Sequence, residues 1–303
     1  MRIFDLGGNP GLARELADAL HMPLMPIYKR QFPNQETYIR LPDDLRGEDV
    51  ILVTTAYPHP NERIIELLLA ADCAKRAGAS RVSAVVPYMA YGRQDRIQIP
   101  GEPVSSLTLA SALKAAGVDS LYVADFHNPL LLQSFPLASL NVMTASLLGS
   151  YVKERYSLND PLVLIPGAKS LDDQTLIRAK LAAQALGSQT YTAYLKRRDP
   201  HTGELFTETR PLGVKGRDVL IIDDEISTGM TVLNAIKALN EEEVGDVIVA
   251  CTHGVFADEA AEKIASLGTK DIISTDSIPN AYSRVRLAQT FASSIKAVID
   301  RDL

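Results

Sequence analysis

Residues Val219–Val232 read VLIIDDEISTGMTV. Four aliphatic residues in succession, Val219 to Ile222, have the composition of a parallel strand covered on both faces. The run stops at two adjacent carboxylates, Asp223 and Asp224. It continues through Ser227, Thr228, Gly229, Met230 and Thr231 into a helical pattern of Val232, Ile236 and Leu239. Two acids at the end of a buried strand require a partner outside the sheet. In open parallel sheets, ligands sit beyond the carboxyl ends of strands. A helix N-terminus at that place offers free N–H groups and a partial positive charge to a phosphate. The hydroxyls of Thr228 and Thr231 add donors, and paired carboxylates can accept from vicinal sugar hydroxyls. The stretch therefore predicts a sugar-phosphate site, with the sugar over Asp223 and Asp224 and the phosphate on Ser227–Thr231. The plainer alternative is a turn into a helix with no ligand.

The same alternation of aliphatic runs and helical patterns extends along the chain. Candidate strands are Val50–Thr54, Arg81–Val86, Ser120–Ala124, Leu162–Ile165, Val219–Ile222 and Val247–Cys251. Between two of them, Asn61–Ala77 predicts a helix capped by Asn61, with an apolar stripe of Ile64, Ile65, Leu68 and Leu69 and a stop at Gly78. The order predicts an α/β fold with mostly parallel sheets flanked by helices. An internal echo sharpens this. RGEDVILV at residues 46–53 and KGRDVLII at residues 215–222 share a basic-Gly-x-Asp-aliphatic pattern. Each is followed by a polar turn, a helix and another strand, which predicts two related domains. The expected division is 1–145 and 146–303.

Composition narrows the function. At 303 residues the chain is long enough for two cores, and 46% apolar with 22% charged residues is typical of a globular protein. A net charge of −6 argues against a nucleic-acid binder, which needs a basic face. Cys73 and Cys251, the two cysteines, have no metal-like spacing and fit a reducing, cytoplasmic setting. The opening MRIFDLGGNPG does not read as a signal peptide, and no apolar run is long enough to span a membrane. Neither nucleic acid nor membrane is an expected partner.

The stretch at 219–232 resembles the binding signature for phosphoribosyl pyrophosphate (PRPP) of type I phosphoribosyltransferases and PRPP synthetases. Further segments resemble the synthetases, the ribose-phosphate diphosphokinases. Pro87–Arg96, PYMAYGRQDR, is similar to their PYxxYxRQDR segment, whose Arg-Gln-Asp triplet binds ATP, here Arg93, Gln94 and Asp95. Phe32–Glu36, FPNQE, resembles an adenine-contacting Phe-x-Asp-Gly-Glu element; Phe32 and Glu36 match, while Asn34 and Gln35 depart. Asp125-Phe126-His127 resembles the Asp-x-His element whose histidine contacts the triphosphate and its Mg²⁺. Lys196-Arg197-Arg198, opening a polar segment to about Arg210, resembles the mobile catalytic loop, with Lys196 and Arg198 at its two cationic positions.

The resemblance covers roughly residues 30 to 285. It implies two phosphoribosyltransferase-like domains, the first binding ATP and the second the ribose phosphate. It also implies a homo-oligomer and a diphosphoryl transfer from MgATP to ribose 5-phosphate. The ATP residues so implied are Phe32, Asn34, Glu36, Arg93, Gln94 and Asp95. His127 is the implied metal contact, and Lys196, Arg198 and His127 are the catalytic set.

Three departures fall mainly on the sugar and metal side. Where synthetases carry Pro-Asp-x-Gly-Gly, with a metal-holding Asp, this chain reads Pro166-Gly167-Ala168-Lys169-Ser170. Asp172 or Asp173 could substitute, or either could be an ordinary acid at a helix start. Met230 replaces a small residue of the phosphate loop, and Asn128 stands where the family has Ala. These changes leave open a different sugar-phosphate acceptor, a non-catalytic regulatory homologue, or a phosphoribosyltransferase, although the last has no use for Arg93, Gln94 and Asp95.

Overall fold

The structure of the chain is a computed structural model that describes residues 1–42, 44–198 and 205–299; within these, the side chains of 173, 174, 198, 205, 206 and 299 are not described. The chain divides into two compact units. The first comprises Met1–Val142, Ser277–Pro279 and Arg286–Leu303, and the second Met143–Asp276 and Asn280–Val285.

The first half of the chain forms β1 (Arg2–Gly7), α1 (Pro10–Leu20), β2 (Leu24–Met25), β3 (Tyr28–Gln31), β4 (Thr37–Arg40), β5 (Asp49–Thr54), α2 (Pro60–Arg76), β6 (Arg81–Val85), α3 (Ser105–Ala115), β7 (Ser120–Ala124) and β8 (Ala138–Val142). The second half forms α4 (Ala145–Arg155), β9 (Leu162–Ala168), α5 (Asp173–Leu186), β10 (Thr190–Arg198), β11 (Leu205–Glu208), β12 (Val219–Ile226), α6 (Met230–Glu241), β13 (Val247–Gly254), α7 (Ala260–Ala265), β14 (Asp271–Thr275), β15 (Ser283–Val285) and α8 (Ala288–Ile299).

In the first unit the sheet order is β2-β1-β5-β6-β7-β8, with every pair parallel. The hairpin β3–β4 forms a separate antiparallel pair. In the second unit the order is β11-β10-β9-β12-β13-β14-β15, antiparallel only at β10–β11. The alternation therefore predicts the fold class correctly. β5 lies between β1 and β6, just as β12 lies between β9 and β13, so the echoed octapeptides occupy matching strands.

The two-residue period of a strand sorts the aliphatic run of β12 to opposite faces. Val219 and Ile221 pack with Val232, Ile236 and Leu239 of α6 and Ile264 of α7. Leu220 and Ile222 pack with Leu148 and Val152 of α4 and Ala179, Ala182 and Ala183 of α5. Burial on both faces is why the run carries no polar residue until Asp223.

Three expectations need correction. The expected second domain included everything after residue 145, but α8 packs along α1 and belongs to the first unit. Arg286, just before it, pairs with Glu15 of α1 at 2.8 Å. Helix α2 starts at Pro60, and its cap position is His59, not Asn61. Proline is favoured at the first helical position, where its missing N–H is no loss. Asn61 instead accepts a hydrogen bond from the Tyr91 hydroxyl. Finally, the stripe of α2 holds only in part: Ile64 and Leu68 pack against the core, but Ile65 and Leu69 are 50% and 42% exposed, while Leu67, Ala70, Ala71 and Ala74 are buried. Alanines let the helix approach the sheet closely, and Glu66 is drawn in with them by two cations.

Candidate functional site

The acids of VLIIDDEISTGMTV lie inside a strand. β12 continues through them to Ile226, with Asp223 opposite Cys251 and Glu225 opposite His253 of β13. Asp223, Asp224 and Glu225 are half-buried. The Asp223 carboxylate accepts from the Asp224 backbone N–H at 2.9 Å. Burial, and then the neighbouring Asp224 charge, pushes the Asp223 carboxyl up to about 8, against the pull of Arg178 and Lys196. Arg178, on α5, stands 3.9 Å from Asp224. Behind the pair, burial pushes the Cys251 thiol far up, so it is no nucleophile.

Beyond Ile226 the chain turns through Ser227 and Thr228 to Gly229, which caps α6 with φ 74° and supplies no side-chain bond to the first turn. The N–H groups of that turn face the loop without a side-chain acceptor. Gly229 is needed on two grounds. Its φ disfavours other residues, and a Cβ would press on Ala260 at 3.2 Å and Ile264 at 3.3 Å. Thr231 is half-buried, and Thr228 and Met230 are exposed. Helix α6 starts at Met230, two residues before its first buried position, Val232.

Lys196 reaches this strand end from β10. A register shift between Ala193 and Leu195 in the β9–β10 pairing sets Leu195 opposite Ala168, and such bulges re-aim side chains. A Cβ on Gly167 would lie 2.6 Å from Lys196 Cε, 3.2 Å from its Cγ and 2.6 Å from Thr231 Cγ2. Arg198 closes β10; its side chain, and residues 199–204 of the expected loop, lie outside the described residues. Asp172 is the N-cap of α5: it accepts from Thr175 N at 2.7 Å and from Ser170 Oγ at 2.5 Å. A capping role occupies both of its oxygens and leaves it a poor stand-in for a metal ligand. The side chain of Asp173 is not described.

The other expected residues belong to the first unit and form two groups. Phe32, Asn34 and Glu36 meet at the tip of β3–β4. There Phe32 N donates to Glu36 O at 2.8 Å, and Asn34 Oδ1 accepts from Glu36 N at 3.2 Å. Gln35 holds φ 69°, in the left-handed region that favours glycine, at a turn that Asn34 closes. The Arg30 guanidinium lies 4.6 Å from the Phe32 ring and 5.1 Å from Tyr38. In the second group, Gln94 accepts from the Ser105 hydroxyl at the start of α3, and its carbonyl accepts from Ser106 Oγ at 3.1 Å. Asn128 donates to Asp95 at 2.8 Å. This ties the Arg93–Asp95 loop to the segment after β7, where His127 is exposed. Asn128 and Arg178 were not among the expected site residues. Asn128 carried a signal, as a departure from the family's Ala; Arg178 carried none.

Among the described residues, no group of three or more His, Cys, Asp and Glu side chains is placed to hold a metal ion. None of the described helices is long and apolar enough to cross a membrane.

Known proteins give this geometry its context. Residues 1–117 match the family model described as the N-terminal domain of ribose phosphate pyrophosphokinase, and residues 170–285 match the phosphoribosyl transferase domain. The chain is 35% identical to a ribose-phosphate pyrophosphokinase of Methanopyrus kandleri over 94% of its length and 95% of that protein's. It is likewise 35% identical to the Pyrococcus abyssi ribose-phosphate pyrophosphokinase, over 95% of its own length and 96% of the relative's. The crystal structure of phosphoribosylpyrophosphate synthetase from Mycobacterium smegmatis superposes with a TM-score of 0.86 at 29% identity, covering 99% of both chains. On residues, fold and coverage together, this chain belongs to the ribose-phosphate pyrophosphokinase family of enzymes.

Proposed function

We propose that the chain transfers the β,γ-diphosphoryl group of ATP to the C1 hydroxyl of ribose 5-phosphate, giving PRPP and AMP. The observation that carries this reading is the half-buried Asp223–Asp224 pair, which leads through Ser227 and Thr228 into an α6 N-terminus without a side-chain cap. Carboxylates suit ribose hydroxyls, and free N–H groups suit its phosphate. The C1 oxygen attacks the β-phosphorus, its bond to phosphorus forms as the bond to the α-phosphate oxygen breaks, and AMP leaves with the electron pair. The hydroxyl proton passes to water. Such transfer depends on positioning and on stabilising spread negative charge. Lys196 and Arg198 supply the opposing positive charge, Lys as a point charge and Arg as a planar fork. Arg93, Gln94 and Asp95 hold ATP, joined by Phe32, Asn34 and Glu36 around the adenine.

Magnesium needs only one or two protein donors when substrate phosphates supply the rest. The exposed His127 fits such a role toward the metal that arrives with ATP. When bound there, the ion neutralises phosphate charge. On the sugar side position 167 offers no side chain, so Asp223 and Asp224 are the carboxylates that would face a metal there. The enzyme works on small molecules in the cytoplasm, as a homo-oligomer.

A second reading, transfer to another sugar phosphate, is favoured by the Pro166–Ser170 segment. One assay separates the two. AMP release from ATP is measured with ribose 5-phosphate and then with other sugar phosphates. Preference for ribose 5-phosphate supports the first reading and preference for another acceptor the second. No AMP with any acceptor points to a non-catalytic homologue.

A further inference from the structure

We propose that Asn128 is a positioning residue for the nucleotide that acts through Asp95. It ties the Arg93–Asp95 loop to the His127 segment, and it partners a carboxylate that would otherwise face the triphosphate. The inference rests on the reading that Arg93, Gln94 and Asp95 hold ATP.

Three observations carry it. First, the Asn128 amide donates to Asp95 Oδ2 at 2.8 Å, across 33 residues of sequence. Both side chains are short and both residues are half-buried, so the bond is not the chance reach of a long exposed side chain. Second, Asn128 stands at the cap position of the 3-10 turn Pro129–Ser134. Asparagine there ordinarily bonds to the turn it precedes, yet this one makes no side-chain cap bond. Its amide goes to Asp95 instead. Third, the backbone on both sides of the bond is held. Gly92 lies against the Phe126 ring, where a Cβ would meet Cε2 at 3.0 Å. That ring is 3% exposed and packs edge-on against Phe135, with 5.7 Å between centroids, so it has little room to give. The Gln94 carbonyl accepts from Ser106 Oγ at 3.1 Å, and Phe126 N donates to Asn141 Oδ1 at 2.8 Å.

A carboxylate beside a bound triphosphate repels it. An amide donor turns Asp95 Oδ2 toward residue 128 and offsets part of its charge, while bringing no charge of its own. The same bond closes the Arg93–Asp95 loop onto the segment that carries the exposed His127. The groups expected to meet ATP are therefore held in one arrangement before it arrives, and less ordering opposes binding.

The test is calorimetric titration of MgATP into the full chain, as wild type, Asn128→Ala, Asp95→Ala and the double variant, with Arg93→Ala as the reference for the ATP site. Steady-state kinetics with ribose 5-phosphate accompany it. Asn128→Ala should weaken ATP binding and raise the KM for ATP about tenfold, the lower end of what a hydrogen bond to a charged group contributes, with kcat kept within about threefold and the KM for ribose 5-phosphate within about twofold. In the Asp95→Ala background the same substitution should change little, because the bond is already gone. Asn128→Asp should bind ATP more weakly than Asn128→Ala, since it sets a second carboxylate against the first. ATP binding by Asn128→Ala equal to the wild type, with Arg93→Ala impaired, overturns the inference and leaves the ATP reading intact. An undiminished loss from Asn128→Ala on top of Asp95→Ala also overturns it. Equal rises in both KM values with a lowered melting temperature would mean that Asn128 only holds the fold, and would overturn it too. No ATP binding by the wild type removes both.

Discussion

Strands β5 and β12 follow the same octapeptide pattern and sit at matching places in their sheets, yet they end differently. β5 ends at Thr54, followed by Thr55, where β12 has Asp223 and Asp224. Both threonines are buried and both hydroxyls are spent on backbone carbonyls, Thr54 on Gly7 at 3.1 Å and Thr55 on Ser277 at 2.9 Å. The cations differ in the same way. In the first unit, Lys29 and Arg63 each lie 2.8 Å from Glu66, whose side chain is 1% exposed. Lys29 also donates to the Leu6 carbonyl at 3.1 Å. In the second unit, Lys196 and Arg178 act on Asp223 at the mouth of the sheet. One frame thus supports a closed strand end and an open one. What separates them is where the balancing carboxylate sits, on a helix turned into the core or on the strand end itself.

The largest effect that would test this contrast lies in the closed half. Glu66→Gln leaves two cations facing a neutral amide, and denaturant unfolding followed by circular dichroism should show a loss of about 3 kcal/mol or more. A loss under about 1 kcal/mol would mean that Lys29 and Arg63 simply turn to water. Next comes turnover. Lys196→Ala or Arg198→Ala should lower kcat at least about 100-fold, the scale of one preorganised charge-stabilising donor, while Lys29→Met stays within about threefold of wild type. Similar losses from Lys29 and Lys196 would erase the distinction.

A smaller effect is a pH dependence. Asp223 is raised to about 8 in the folded chain, above its unfolded value near 3.8. Between those limits the native state binds the extra proton, so its stability falls as pH rises through the window. Asp223→Asn should therefore melt a few degrees higher than wild type at pH 8 to 9, with the gap closing below about pH 4. A constant gap across pH would assign the gain to something other than ionisation. The smallest expected effect compares two glycines of equal φ. Gly229 and Gly47 both hold 74°, but a Cβ meets Ala260 and Ile264 at Gly229 and nothing at Gly47. Gly47→Ala should cost about 1 kcal/mol from backbone strain alone, and Gly229→Ala about 1 kcal/mol more from crowding.

The aliphatic runs made the central strands β5, β6, β7, β9, β12 and β13 legible, because burial leaves a local mark on them, whereas the exposed β3 and the partly buried β8 carry none. The acids and the small hydroxylic loop marked the second unit's strand end for a similar reason: their cost in a core is visible from neighbouring residues. Long-range arrivals left no such mark. Arg178 approaches from α5, and Lys196 is aimed by a bulge in β10, so neither position follows from the residues beside Asp223. Glu66 reads as a surface residue of a helix until Lys29 and Arg63 are seen to meet it. Asn128 looked only like a departure from a pattern, and its bond to Asp95 shows what the change does.

The placement of α8 in the first unit has a practical consequence for anyone dissecting the protein. A split between residues 142 and 143 would produce an N-terminal fragment stripped of the helix that lies along α1, and a C-terminal fragment trailing an amphipathic tail with nothing to cover it. Neither piece should be soluble when expressed alone. Co-expression of both in one cell, with reassembly in trans, is the form in which a divided version of this chain should survive.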